Sequence, residues 1–128
     1  KFNTILDIGG HKGESIELFL KYFTVNKIIS FEASPLNYKI LENNLHKLKT
    51  KFDFLKHIDG VITSDRAGSY KPSQKIFDFA LVEANTRPSF SIFIDDNFAN
   101  VISAENLGFQ AHHYIDYEKL CVFLNDYR

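Results

Sequence analysis

The chain of 128 residues has no methionine, no tryptophan and a single cysteine. One cysteine excludes an internal disulfide and makes a reducing, cytoplasmic setting the expectation. That residue, Cys121, lies among Leu120, Val122 and Phe123 and reads as a buried, inert thiol. No apolar run approaches the ~20 residues that a membrane-spanning helix needs. No signal-peptide pattern is visible either, so no membrane partner is expected. Charge of one sign is also missing: 15 Lys and Arg stand against 16 Asp and Glu, for a formal net charge of -1. That balance argues against a broad basic surface for nucleic acid or anionic lipid. Lys47, Lys49, Lys51 and Lys56 gather near the end of a helical stretch and read as a solvated face. With even the initiator methionine absent, a trimmed, excised or engineered chain is expected.

What is present is a core former. Hydrophobic residues make up 45% of the chain and charged residues 24%, with 13 Phe and 6 Tyr. That composition supports one packed domain spanning 1–128. Short apolar runs alternate with helical periodicity from end to end. Thr4 to Ile8, Lys27 to Phe31, Ile58 to Thr63, Ser91 to Ile94 and Gln110 to Ile115 read as strands. Ser15 to Phe23 has helical spacing, as does the stretch from Pro35 through Leu48. A turn is expected around Gly68, and Lys71-Pro72-Ser73 opens the next helix. Asn100 to Leu107 is helical up to Gly108, and Tyr117 to Asp126 is the last helix, with Asp116 as its cap. Strands alternating with helices imply βαβ units and a parallel sheet. The expected fold is α/β: a doubly wound, Rossmann-like three-layer sandwich on a five-stranded parallel sheet of order 3-2-1-4-5. Its winding reverses between strands 1 and 4, where small-molecule ligands bind in such sheets.

Two groups of residues carry chemistry. The first begins with Asp7-Ile8-Gly9-Gly10-His11-Lys12-Gly13, between strand 1 and the helix after it. Glycines there let backbone N–H groups approach a ligand at the positive end of a helix. Glu32 closes strand 2, the place where an acid accepts hydrogen bonds from a ribose diol. With Ile28-Ile29-Ser30-Phe31-Glu32-Ala33-Ser34-Pro35 and Asn37, Leu41 and Asn44, this stretch resembles S-adenosylmethionine-dependent methyltransferases of the FkbM family, over roughly residues 2 to 70. The resemblance implies a cofactor site of Asp7, Gly9, Gly10, His11, Gly13, Glu32 and Ala33. The glycine loop would hold the amino-acid end of S-adenosylmethionine, and Glu32 its ribose. The parts that would carry a methyl acceptor are absent.

The second group is Lys71-Pro72-Ser73, with Ile76, Phe77 and Ala80 after it, and Phe93-Ile94-Asp95-Asp96-Asn97, followed by Asn100, Ala104, Leu107 and Gly108. Two adjacent carboxylates at a strand end repel each other, and burying them together needs a cation. The alternative reading makes the two acids an N-cap pair for the helix that follows, with Asp96 as the cap. From about residue 60 to 124 the pattern resembles the haloacid dehalogenase (HAD) superfamily of hydrolases and phosphatases. The resemblance implies that Lys71 steadies a phosphate and a nucleophile, that Asp95 and Asp96 hold Mg²⁺, and that Asp7 stands where the nucleophile belongs. Two residues beyond Asp7, the family's acid/base carboxylate is replaced by Gly9, and only Ser34 approximates the Ser or Thr expected after strand 2.

The two resemblances meet in residues 60 to 70. The leading expectation is therefore a recombined chain with a methyltransferase-like half (1–70) and a HAD-like half (71–128), with little or no turnover. A Mg²⁺-dependent HAD-like phosphatase and an S-adenosylmethionine-dependent methyltransferase stand as the alternatives. His112-His113 places one imidazole on each side of strand 5 and carries no chemistry in this reading, and His46 and His57 have no partners at metal-ligand spacing.

Overall fold

A computed structural model describes residues 4–8, 27–32 and 60–127. The strands are β1 (Thr4–Ile8), β2 (Lys27–Glu32), β3 (Gly60–Thr63), β4 (Ser91–Asp95) and β5 (Gln110–His113). The helices are α1 (Ser64–Ala67), α2 (Gln74–Ala84), α3 (Phe98–Asn106) and α4 (Tyr117–Asn125), with a 3₁₀ turn over Pro88–Phe90. All neighbouring strands are parallel, and they lie in the sequence β3-β2-β1-β4-β5. The expectation of an α/β domain on a parallel sheet agrees with this arrangement. The glycine loop with Gly9, Gly10, His11 and Gly13, together with Ala33, Ser34, the helical stretches at 15–23 and 35–48, His46, His57 and the four lysines, lies outside the described residues.

β4 explains itself from its residues. Ser91, Ile92, Phe93, Ile94 and Asp95 are all buried, as befits a strand covered on both faces. The alternation of a strand sends Phe93 to one side and Ile92 and Ile94 to the other. Phe93 joins a cluster with Ile76, Phe77 and Ala80 of α2, Ala104 of α3 and Phe109. Ile92 and Ile94 pack with Leu120 and Leu124 of α4. Helices thus cover both sides of this strand. The rings of Phe77, Phe93 and Phe109 meet at centroid distances of 5.0, 5.7 and 5.9 Å in tilted and edge-on geometry, the arrangement aromatic quadrupoles favour.

Element ends differ from the sequence expectation in instructive ways. The turn expected around Gly68 begins as the one-turn helix α1. Thr63 accepts the Arg66 amide at 3.1 Å to start it, and Gly68 ends it in the left-handed region (φ 63°), where a side chain would be strained. Lys71 and Pro72 precede α2 rather than belonging to it; Ser73 is its first flanking residue. α2 stops at Asn85, itself left-handed, while the Thr86 amide reaches back to the Leu81 carbonyl at 3.1 Å. β5 ends at His113, two residues short of Ile115, because the chain turns to let Asp116 cap α4 through the Lys119 amide at 2.8 Å. Cys121 is half-buried rather than buried: Leu120 and Leu124 form the inward stripe of α4, and Cys121 flanks it. Among the described residues no helix is long and apolar enough to cross a membrane.

Candidate active site

The carboxyl ends of β1 and β4 adjoin. Asp7, next to last in β1, is in register with Ile94 on one side and Ser30 on the other. Asp95 follows Ile94 directly, so the chain brings the backbone of Asp7 beside the acidic pair. Glu32 ends β2 opposite Thr63, one strand further from β4.

Asp95 is the centre of the side-chain network. It is 2% exposed. Lys71 Nζ donates to its Oδ2 at 3.0 Å, Asn100 Nδ2 to the same oxygen at 2.7 Å, and the Asn97 amide to Oδ1 at 2.9 Å. Burial works to raise the pKa of this carboxyl. The Asn97 amide, the Lys71 ammonium and the Asn100 amide outweigh burial and hold the group below its ordinary value. Asp95 is therefore an ionised carboxylate at neutral pH, paired with a cation from its own chain.

This corrects the idea that Asp95 and Asp96 are buried together and need an external cation for that reason. Only Asp95 is buried; Asp96 faces solvent, and Lys71 compensates the buried charge. Lys71, expected to steady a phosphate, is in this structure the ion-pair partner of Asp95. A second correction concerns the cap of α3. The residue that caps it is Asn97, whose side chain accepts the Ala99 amide at 3.0 Å, and not Asp96. The helix starts at Phe98, two residues earlier than expected, and the residue directly before it, Asn97, is the one with the extended backbone of a cap. Among the described residues no three His, Cys, Asp or Glu side chains converge on a common metal position.

Sequence reasoning gave no role to three participants. Asn100 is buried and bonds Asp95, a role signalled only by its position one turn beyond a strand-end acid. Ser103 donates to the Pro72 carbonyl at 2.6 Å and ties α3 to the turn that carries Lys71. His113, opposite Asp95 in register, places its Nε2 2.8 Å from the Asp96 carbonyl oxygen.

The family model described as haloacid dehalogenase-like hydrolase matches residues 39–113, a span that contains Lys71, Asp95, Asp96 and Asn100. The chain belongs to this family. Relatives of the HAD-like chain include the sesquiterpene phosphatase astK of Aspergillus oryzae, 28% identical over 81 residues, covering 63% of this chain and 41% of the relative. Acyl-CoA dehydrogenase family member 10 of Mus musculus is 35% identical over 85 residues, covering 63% of this chain and 8% of the mouse protein. The D-ribitol-5-phosphate phosphatase of Bacteroides thetaiotaomicron is 33% identical over 54 residues, covering 42% and 26%. The chain thus spans less than half the length of these curated relatives. In fold it is similar to a predicted HAD-like family hydrolase from Porphyromonas gingivalis, with a TM-score of 0.66 at 23% identity over 93% of this chain and 57% of that one. It also resembles an uncharacterized protein from Corynebacterium glutamicum, with a TM-score of 0.74 at 14% identity over 98% and 94%.

These likenesses support the HAD half of the sequence reading and extend it. The family match begins at residue 39, well inside the stretch that resembles FkbM methyltransferases, and the Porphyromonas likeness runs across nearly the whole chain. They lend no support to a methyltransferase half, to S-adenosylmethionine or to a junction near residues 60 to 70. Physics explains why that part of the sequence pattern was not decisive. A glycine turn after strand 1 and an acid after strand 2 are features of the doubly wound architecture in general, and architecture does not specify chemistry.

Proposed function

We propose that this chain is the catalytic core, or part of it, of a Mg²⁺-dependent phosphate monoester hydrolase of the HAD-like family. The observation that carries the reading is the buried Lys71–Asp95 ion pair at the end of β4, with Asp96 exposed beside it and Asp7 on the adjoining strand end. Phosphatases among the relatives support it. So does a HAD family enzyme from Bacteroides thetaiotaomicron, solved in complex with magnesium and inorganic phosphate, whose fold the chain shares with a TM-score of 0.60 at 19% identity.

In this reading Asp7 is the nucleophile. Its carboxylate attacks phosphorus, the ester oxygen departs, and water then hydrolyses the aspartyl phosphate. Lys71, 17% exposed at its side chain and bonded to Asp95, would supply the positive charge that offsets the incoming phosphoryl group. Asp7 and Asp96 would supply hard oxygen to Mg²⁺, and Asp95 keeps acceptor capacity beyond its three hydrogen bonds. Bound there, Mg²⁺ would offset negative charge on the phosphate.

The test is hydrolysis of p-nitrophenyl phosphate by the purified chain with Mg²⁺ and with chelator. Asp7→Asn should abolish turnover while leaving the fold intact, and Asp95→Asn should reduce it strongly. Equal rates in wild type and both variants would remove the proposal.

A further inference from the structure

Asp96 is exposed, yet its backbone is held on both sides. The peptide unit before it has its Asp95 carbonyl fixed by the Tyr114 amide at 2.8 Å. The peptide unit after it is held at both ends. Its N–H, from Asn97, donates to Asp95 Oδ1 at 2.9 Å, and its carbonyl, from Asp96, meets His113 Nε2 at 2.8 Å. A carbonyl oxygen only accepts, so Nε2 carries the hydrogen in this contact. With both flanking peptide planes fixed, φ and ψ of Asp96 are fixed, and its carboxylate retains only its own side-chain torsions.

His113 is itself well placed to be rigid. It is the last residue of β5, in register with Asp95, and its ring lies against Phe98, the first residue of α3, at 5.3 Å between centroids. Of these restraints, the two amides belong to the backbone and Asp95 belongs to the ion-paired centre. His113 is a side chain outside that centre, which makes its contribution separable.

We propose that His113 is a positioning residue for Asp96: from β5 it fixes the Asp96 carbonyl and thereby the direction in which the neighbouring carboxylate meets a divalent cation. The inference rests on the Mg²⁺-dependent reading above. Partners that orient a ligand from outside the coordination sphere are typically worth ~10–100-fold in metal affinity.

Calorimetric titration of the full chain with Mg²⁺ alone tests it, using two variants. His113→Phe keeps a ring to pack on Phe98 but has no donor; His113→Gln keeps an N–H donor at similar reach. Thermal unfolding without metal reports any purely structural effect. The expected result is about tenfold weaker Mg²⁺ binding by His113→Phe and recovery of most of the affinity by His113→Gln. In p-nitrophenyl phosphate hydrolysis, the half-saturating Mg²⁺ concentration should rise in His113→Phe while kcat at saturating Mg²⁺ stays near wild type. Wild-type affinity in His113→Phe, or equal loss in both variants, overturns the positioning role and leaves the Mg²⁺ reading standing. No Mg²⁺ binding by the wild-type chain overturns both.

Discussion

Ser103 donates its hydroxyl hydrogen to the Pro72 carbonyl across 2.6 Å, so α3 grips the turn that presents Lys71. Lys71 in turn reaches Asp95 at 3.0 Å, immediately before the segment that leads into α3. Two ties therefore join the same pair of segments, one through the backbone of the turn and one through its ammonium group. Asp95 can be buried and ionised because the cation that offsets it is delivered by a turn that Ser103 ties to α3.

Ties that close one contact are not independent. Ser103→Ala should cost about 1 kcal/mol, the usual net value of one hydrogen bond. Lys71→Met should cost roughly 3 kcal/mol, the low end for breaking a buried ion pair, because Lys71 keeps some solvent contact. With the ammonium gone, holding the turn gains less, so the double variant should lose less than the two single losses together. Urea unfolding of the four proteins measures this. Additivity within about 0.5 kcal/mol would show that the two ties act separately.

The sequence made most of the frame legible, and its failures have physical causes. β4 could be read because all five of its residues are buried, and a continuous apolar run ending on an acid marks a covered strand. α4 and its Asp116 cap could be read because Leu120 and Leu124 keep helical spacing behind an acid. The cap of α3 was misjudged by one position, since Asp95, Asp96 and Asn97 are all good caps and only the backbone path selects among them. Asp95 and Asp96 look equivalent as letters. They differ because one points into a covered strand end and the other follows it into solvent. His113 carries no chemistry in the sequence reading because its partner is the Asp96 carbonyl, just beyond the neighbouring strand, and a backbone acceptor leaves no trace in sequence. Strand adjacency would have exposed it: a residue at the end of β5 lies opposite the end of β4.

His112 gives the fold a pH dependence of predictable sign. Its ring stacks on Phe123 at 4.6 Å, and its Nε2 is buried with no hydrogen-bond partner among the described residues. Burial lowers its pKa below 6.5, the positive potential of His113 adds to that, and Asp116 opposes both. The folded state therefore resists protonating His112 more than the unfolded chain does. Its contribution to stability is fully present above pH 6.5 and is lost as pH falls through the depressed folded-state pKa. His112→Phe removes both the titration and the unpaired nitrogen. It should unfold at an equal or higher urea concentration than wild type at pH 8, and lose less stability between pH 8 and pH 5. An acid-induced loss as large as the wild-type one would show that other groups carry it.

The leaving group should govern turnover. Two residues beyond Asp7 the chain has Gly9, which has no proton to give, where the family resemblance implies an acid/base carboxylate. In the proposed reaction, attack by Asp7 would need no acid, but expulsion of an alkoxide would. Esters whose leaving oxygen is stable as an anion should react well, and esters of ordinary alcohols should lag by ~10²–10⁴-fold, the usual worth of a positioned acid. Rates on p-nitrophenyl, phenyl and simple alkyl phosphates at saturating Mg²⁺ give the slope directly. Gly9→Asp sharpens the test, because a carboxyl at that position should raise alkyl phosphate turnover far more than p-nitrophenyl phosphate turnover. If wild-type rates are instead flat across the series, a different group protonates the leaving oxygen. If they are steep but Gly9→Asp lifts every substrate alike, the new carboxyl does not act by giving a proton to the leaving oxygen.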